Sequence, residues 1–289
     1  MIRDLRRRLQ GFPLTLILLA AGQVWAVEYH DLVEKPFDKL SDRQLSDWGE
    51  RALKISPEKW KHGETTHFVV HFFRRGPSVA NQSETFYRKI REFFGNPSDK
   101  RTGRKSHVFA FHKPEDWEQF ARLTGMGGIA GITREHEFFY IASTEGGGFD
   151  SKGHVQAHEM THLVFNRLFE GRPPLWLNEG IAEYFGLLET ANLPDVHRAL
   201  AAVPRFPLEE LFAAGGYPES EIERRAFYGE ATVVVDFLSH SNERKKLLPK
   251  FVELMIANED LGSALGVYGY QSQAQFQDAY EKYRRARYR

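Results

Sequence analysis

The feature that most constrains this chain is a pair of apolar-rich segments of helical character, VQAHEMTHLVFNRLF and WLNEGIAEYF, split by Gly171-Arg172-Pro173-Pro174. Glycine and proline end the first segment, and the chain must then return. Four residues of helix rotate by roughly 400°, so His158 and His162 of the H-E-x-x-H pattern lie one turn apart on one face. That spacing lets both imidazoles reach a single ion at about 2.0–2.1 Å. Glu159 lies beside them, placed to take a proton from a water at the metal. Sixteen residues separate His162 from Glu179, room for the rest of one helix, a turn and the return. Glu179 can therefore complete a set of two histidines and one carboxylate with an open fourth position. Glu183, four residues on, shares its face and can accept a hydrogen bond from the outer nitrogen of a ligand histidine. The bland alternative is a solvated helix face. Against it, Trp176, Leu177, Ile181, Tyr184 and Phe185 indicate a largely buried helix, where paired carboxylates need a counter-charge. One zinc ion per chain supplies it.

Composition narrows the chemistry further. The chain has no cysteine, which excludes disulfides, thiolate zinc sites, iron–sulfur clusters and a cysteine nucleophile. The 39 basic and 39 acidic residues cancel, so charge offers nothing to a nucleic-acid partner. The first 26 residues read as a signal peptide: Arg3, Arg6, Arg7 and Arg8 precede an apolar run from Phe12 to Ala21, and Val24-Trp25-Ala26 suits cleavage after Ala26. The run is too short to span a bilayer comfortably, so no stable membrane insertion is expected once it is removed. Its loss takes away four Arg and one Asp, leaving 35 basic and 38 acidic residues, a net charge of −3. The expected location is periplasmic or secreted.

Along the mature chain the hydrophobic period changes near residue 146. Before it, Thr66–Phe73, Ser106–His112 and Glu137–Ser143 read as strands, being β-branched and aromatic. Ser41–Ile55, Glu84–Phe94 and Pro114–Leu123 read as helices. Gly125–Gly131 reads as a turn into Ile129–Thr133, a segment open to two roles: a flexible turn, or an edge strand that pairs with an extended peptide. His67, His71, His107 and His112 alternate with apolar residues and read as sheet-face side chains. Beyond Gly146-Gly147-Gly148 the chain is almost all helical, with segments 154–169, 177–188, 194–202, 208–213, 223–240, 243–258 and 271–287. His154 reads as a helix-start or surface histidine rather than a further ligand. The basic end, Arg284 to Arg289, reads as a solvated helix terminus. The expected fold class is α+β: a mixed β-sheet with packed helices in the N-terminal half, and a helical C-terminal half carrying the zinc helix. In numbers, a signal peptide at 1–26 precedes an α/β lobe at 27–145 and a helical zinc-binding lobe at 146–289.

VQAHEMTH followed by WLNEGIAEYF resembles the gluzincin metallopeptidases, most closely the peptidase MA-like domains and the one-zinc aminopeptidases, whose pattern is AHExxH…WLNEGfAeY. The resemblance implies a gluzincin-like fold, zinc ligands at His158, His162 and Glu179, and a general base at Glu159. It also implies that Glu183 and Asn178 hold the ligand set by hydrogen bonds. Phe227-Tyr228-Gly229-Glu230-Ala231 is similar to the tyrosine segment of these peptidases, which implies that Tyr228 helps bind the oxyanion; by spacing alone Tyr228 is equally a core aromatic. The G-x-M-E-N segment of the aminopeptidases has no counterpart in Met126–Thr133, so a free N-terminal amine is not an expected requirement. The expected function is an exported zinc metallopeptidase acting on a peptide or protein. Its rivals are a peptidase-like envelope protein that binds without cleaving and a zinc hydrolase of a non-peptide bond. Glu159 disfavours the first rival, since a binder needs no base beside its metal.

Overall fold

In the sheet-bearing half, successive strand residues point into two different apolar layers, and this alternation puts helices on both faces of one sheet. The computed structural model describes residues 31–127, 129–142, 149–191 and 193–288; the side chains of 149–152 and 190 are outside that description. The signal peptide, the glycines 146–148 and the lobe boundary at 145/146 therefore lie outside the described residues. The elements of this half are β1 (Val33–Glu34), α1 (Asp47–Leu53), β2 (Lys61–Glu64), β3 (Phe68–Phe72), α2 (Gly76–Phe93), β4 (Ser106–Phe111), α3 (Pro114–Thr124), β5 (Gly131–Arg134) and β6 (Glu137–Ile141). The sheet order is β1-β2-β3-β4-β6-β5, with β3/β4 and β4/β6 parallel and the other pairs antiparallel. The fold is thus α+β with a mixed six-stranded sheet, as expected.

Phe68, Val70 and Phe72 of β3, Val108 and Ala110 of β4, and Phe138 and Tyr140 of β6 face one core. Phe109, Phe111 and Phe139 face the other, against Trp117 and Phe120 of α3 and Ala52 of α1. The first core continues without a break into the second half of the chain, through Met160, Leu163, Leu177 and Val234. That half comprises α4 (Phe149–Leu168), α5 (Leu175–Thr190), α6 (Leu193–Ala201), α7 (Leu208–Ala213), α8 (Glu221–Ser239), α9 (Asn242–Ile256), α10 (Leu261–Leu265) and α11 (Gln273–Arg287). Among the described residues no helix is long and apolar enough to cross a membrane.

One local expectation is corrected. Residues 41–55 do not form one helix; α1 covers only Asp47–Leu53. Ser46 caps it through Oγ, which accepts from the Trp48 and Gly49 amides. The preceding residues are held by side chains instead: Glu64 accepts from the Ser41 amide, and Asp42 accepts from Lys105 N and Arg104. Strand β2, KHGE, was not anticipated: it has no strand-like apolar content and is held by pairing with β1 and β3.

Of the four histidines read as sheet-face side chains, His71 and His107 lie in β3 and β4, while His67 and His112 fall just outside those strands. With His62 of β2, the first two form a chain. His62 Nδ1 lies 2.8 Å from His71 Nδ1, and His71 Nε2 lies 2.9 Å from His107 Nδ1. Burial, reinforced by His107 and His62, holds the fully buried His71 well below its ordinary value of 6.5. A histidine kept neutral in the fold takes up its proton on unfolding, so its stabilisation is present above about pH 6.5 and declines as pH falls below it. Carboxylates with an ordinary value of 4.5 titrate below this window. The thermal midpoint should accordingly drop by several degrees between pH 6.5 and about pH 4.5. A midpoint that is level or rises as pH falls through this window contradicts a neutral His71.

Candidate metal centre

Helix α4 is held against the sheet by an arginine in its last turn. The Arg167 guanidinium, 2% exposed, donates to Asp99 Oδ2 (2.7 and 2.9 Å), to the His67 carbonyl and to Ser106 Oγ. On the other side Thr133 Oγ1 of β5 donates to the Glu159 carbonyl at 2.7 Å. Strand β5 is an edge of the sheet, paired only with β6 among the described residues, and it borders the same face of α4 as the histidines. The segment Ile129–Thr133 is therefore in part an edge strand.

Helix α5 packs between α4 and α8, and two glycines permit the approach. A Cβ at Gly180 would stand 2.7 Å from the Ala231 carbonyl of α8, and one at Gly186 would stand 2.9 Å from the His154 ring of α4. The glycine that follows Glu179 thus has a packing cause against α8, and Gly186 is the one that lets α5 approach the histidine-bearing α4.

His158, His162 and Glu179 converge into a group that could hold a metal ion. Their facing atoms form a near-regular triangle: 3.3 Å between the two Nε2 atoms, 3.4 Å from His158 Nε2 to Glu179 Oε2, and 3.6 Å from His162 Nε2 to the same oxygen. A four-coordinate ion with bonds of about 2.05 Å has tetrahedral edges of about 3.35 Å, so the three atoms fit one face. His158 Nδ1 lies 3.2 Å from Glu183 Oε2, which gives the outer nitrogen a carboxylate to donate to and turns Nε2 into the triangle. Glu183 Oε1 lies 3.1 Å from His154 Nε2. Asn178 Nδ2 donates to Glu179 Oε1 at 3.2 Å.

The charges point the same way. Burial by itself would lower the His158 pKa, but the Glu179 and Glu183 carboxylates outweigh it and raise it to about 10. Burial would raise Glu179, yet hydrogen bonds to His158 and His162 hold it well below the usual carboxylate range. Glu183 is likewise held at about 2, by His154 and His158 against burial. Buried carboxylates that stay ionised create a local demand for positive charge.

The triangle opens into a cleft of about 250 Å³ that also exposes Glu159, Thr133, Tyr217 and Tyr228. Tyr228 lies two turns into α8, its ring 6.2 Å from that of His158. Burial, followed by the Glu179 charge, raises its pKa above the ordinary phenol value, so it remains a hydrogen-bond donor. Every site residue expected from the sequence meets in or beside this cleft. Two partners were not expected. Tyr217, in the loop before α8, stacks on Tyr228 and donates to Glu179 Oε1 at 2.9 Å. His154 reaches Glu183 rather than solvent, although it is no ligand. The i, i+4 spacing of His154 and His158 was a signal for the latter; nothing in Gly215-Gly216-Tyr217-Pro218 marked the former. No protein-family model matches the chain, and no curated protein matches it either.

Proposed function

We propose that the chain is an exported zinc-dependent metallopeptidase that hydrolyses peptide bonds. The observation that carries this reading is the convergence of His158, His162 and Glu179 on one point, with the Glu159 carboxylate in the same cleft. His158 and His162 through Nε2 and Glu179 through Oε2 would hold the zinc, and two imidazoles with one carboxylate suit that ion. Bound there, zinc would supply Lewis-acid activation of water and of the scissile carbonyl.

The chain's own groups account for the remaining work. Glu159 accepts the proton of the attacking water and passes it to the leaving amine. Glu183 fixes the His158 tautomer, and Asn178 and Tyr217 orient the Glu179 carboxylate through its other oxygen. The free edge of β5 offers main-chain hydrogen bonds to an extended substrate. Tyr228 donates to the carbonyl oxygen as negative charge develops on it. This interaction strengthens in the transition state, so Tyr228→Phe should lower kcat by roughly 10²–10³-fold with little change in KM. Full activity in that variant makes Tyr228 a packing residue.

The reading as a whole is tested by profiling cleavage of a mixed peptide library with the wild-type protein and with Glu159→Gln. Cuts that appear only with the wild type, and vanish with a chelator, support it.

A further inference from the structure

The metal cleft continues past Arg172. Asn166, Glu135 and Arg172, which border it, also line an adjoining cavity of about 450 Å³. That cavity shares Arg101 and His136 with another of about 340 Å³, so the three form one groove. It starts where the edge strand β5 ends, at the turn formed by Glu135 with φ of 53°.

The groove holds charge and polarity that the protein itself leaves uncompensated. Among the described residues, Lys100, Arg101 and Arg172 make no ion pair with a carboxylate. The neighbouring cations are already engaged, Arg104 by Asp42 and Arg134 by Asp47. Glu137, the carboxylate of the far cavity, is taken up by the Ser46 amide and hydroxyl. Glu135 and Glu170 remain, and both are exposed. One buried imidazole nitrogen on the groove, His136 Nδ1, has no hydrogen-bond partner, whereas His107 Nε2 already faces Asp42 Oδ1 at 3.9 Å. The local potential is positive. Burial, then Arg101, Arg167 and Arg104, lowers His136 to about 4, and burial with Arg104 lowers Arg101 itself. An incoming anion would relieve both.

We infer that this groove binds carboxylates of the substrate, so that the preferred peptides carry acidic residues beyond the segment lying on β5. The inference rests on the peptidase reading of the cleft. Arg172 meets the first carboxylate at the mouth, Lys100 and Arg101 the next, and the orphaned His136 nitrogen completes its hydrogen bond. A free C-terminal carboxylate presents the same chemistry as an aspartate or glutamate side chain.

The test measures binding separately from cleavage. Full-length Glu159→Gln protein, loaded with zinc, is titrated with a fluorescent peptide bearing a glutamate segment and with the same peptide bearing glutamine. Each is made with a free and an amidated C-terminus. The glutamate peptide should bind at least about tenfold more tightly at low salt, with the gap narrowing as salt rises. A glutamate–glutamine gap retained in the amidated pair assigns the preference to side chains, and the difference between the free and amidated forms of one sequence measures what the terminal carboxylate adds. Lys100→Glu with Arg172→Glu, both exposed positions, should abolish or reverse the preference without moving the thermal midpoint. Equal binding of glutamate and glutamine peptides overturns the inference, as does a preference that survives charge reversal. Should the wild type cleave no peptide while the preference persists, the peptidase reading falls and the anion-binding groove stands.

Discussion

The purified protein should carry about one zinc ion per chain, and His162→Ala should lose it. Three facing atoms 3.3 to 3.6 Å apart already match one face of a tetrahedral ion. Zinc should therefore bind without rearrangement of the helices that present them. Removing the His162 imidazole leaves two ligands and an ionised carboxylate with less compensation. Changing a group that only orients a ligand is milder: Glu183→Gln should weaken affinity by roughly 10–100-fold, because the His158 tautomer is then no longer held by a charge. His162→Ala should exceed that loss. Metal analysis after dialysis, with chelator competition for affinity, reads both. A wild type that stays metal-free after zinc supplementation, or a His162→Ala variant at full occupancy, would remove the basis for a zinc centre.

Glu159→Gln should separate chemistry from architecture. The amide has the same shape, and Glu159 is not one of the three converging ligands, so zinc content and thermal stability should stay near wild type. The amide cannot accept the proton of the attacking water, and hydrolysis should fall by at least ~10²-fold. A loss of kcat with KM preserved places the defect in the chemical step. If wild type and variant cleave a responsive substrate equally, the activity belongs elsewhere; if neither cleaves anything and both bind peptide, the chain is a binder built on a peptidase-like cleft.

Much of the site was legible because its spacing is helical. His158, Glu159 and His162 are fixed relative to one another by one turn of α4, and Glu179 and Glu183 by one turn of α5; periodicity alone reports such pairs. The strands β3, β4 and β6 were legible from their aromatic and β-branched runs. The β2 strand was not, because Lys61-His62-Gly63-Glu64 pairs through its backbone and its side chains carry no signal. The helix expected over residues 41–55 failed for a related reason: Asp42 is held by Arg104 and Lys105, about sixty residues away in sequence, which local propensity cannot anticipate.

The sequence by itself determined that His158, His162 and Glu179 could converge, that Glu159 lies beside them, and the alternation that buries both sheet faces. These depend on residues a few positions apart, whose relation is set by backbone geometry. Only the tertiary structure decided that Tyr217 holds Glu179, that His154 serves Glu183, and that β5 leads into a groove with uncompensated positive charge. Each of these joins segments tens of residues apart, brought together by the packing of α4, α5 and α8 against one another and against the sheet. Side-chain chemistry proposes such contacts in many combinations. The shared core, with glycine at positions 180 and 186 where the helices press closest, selects the ones that form.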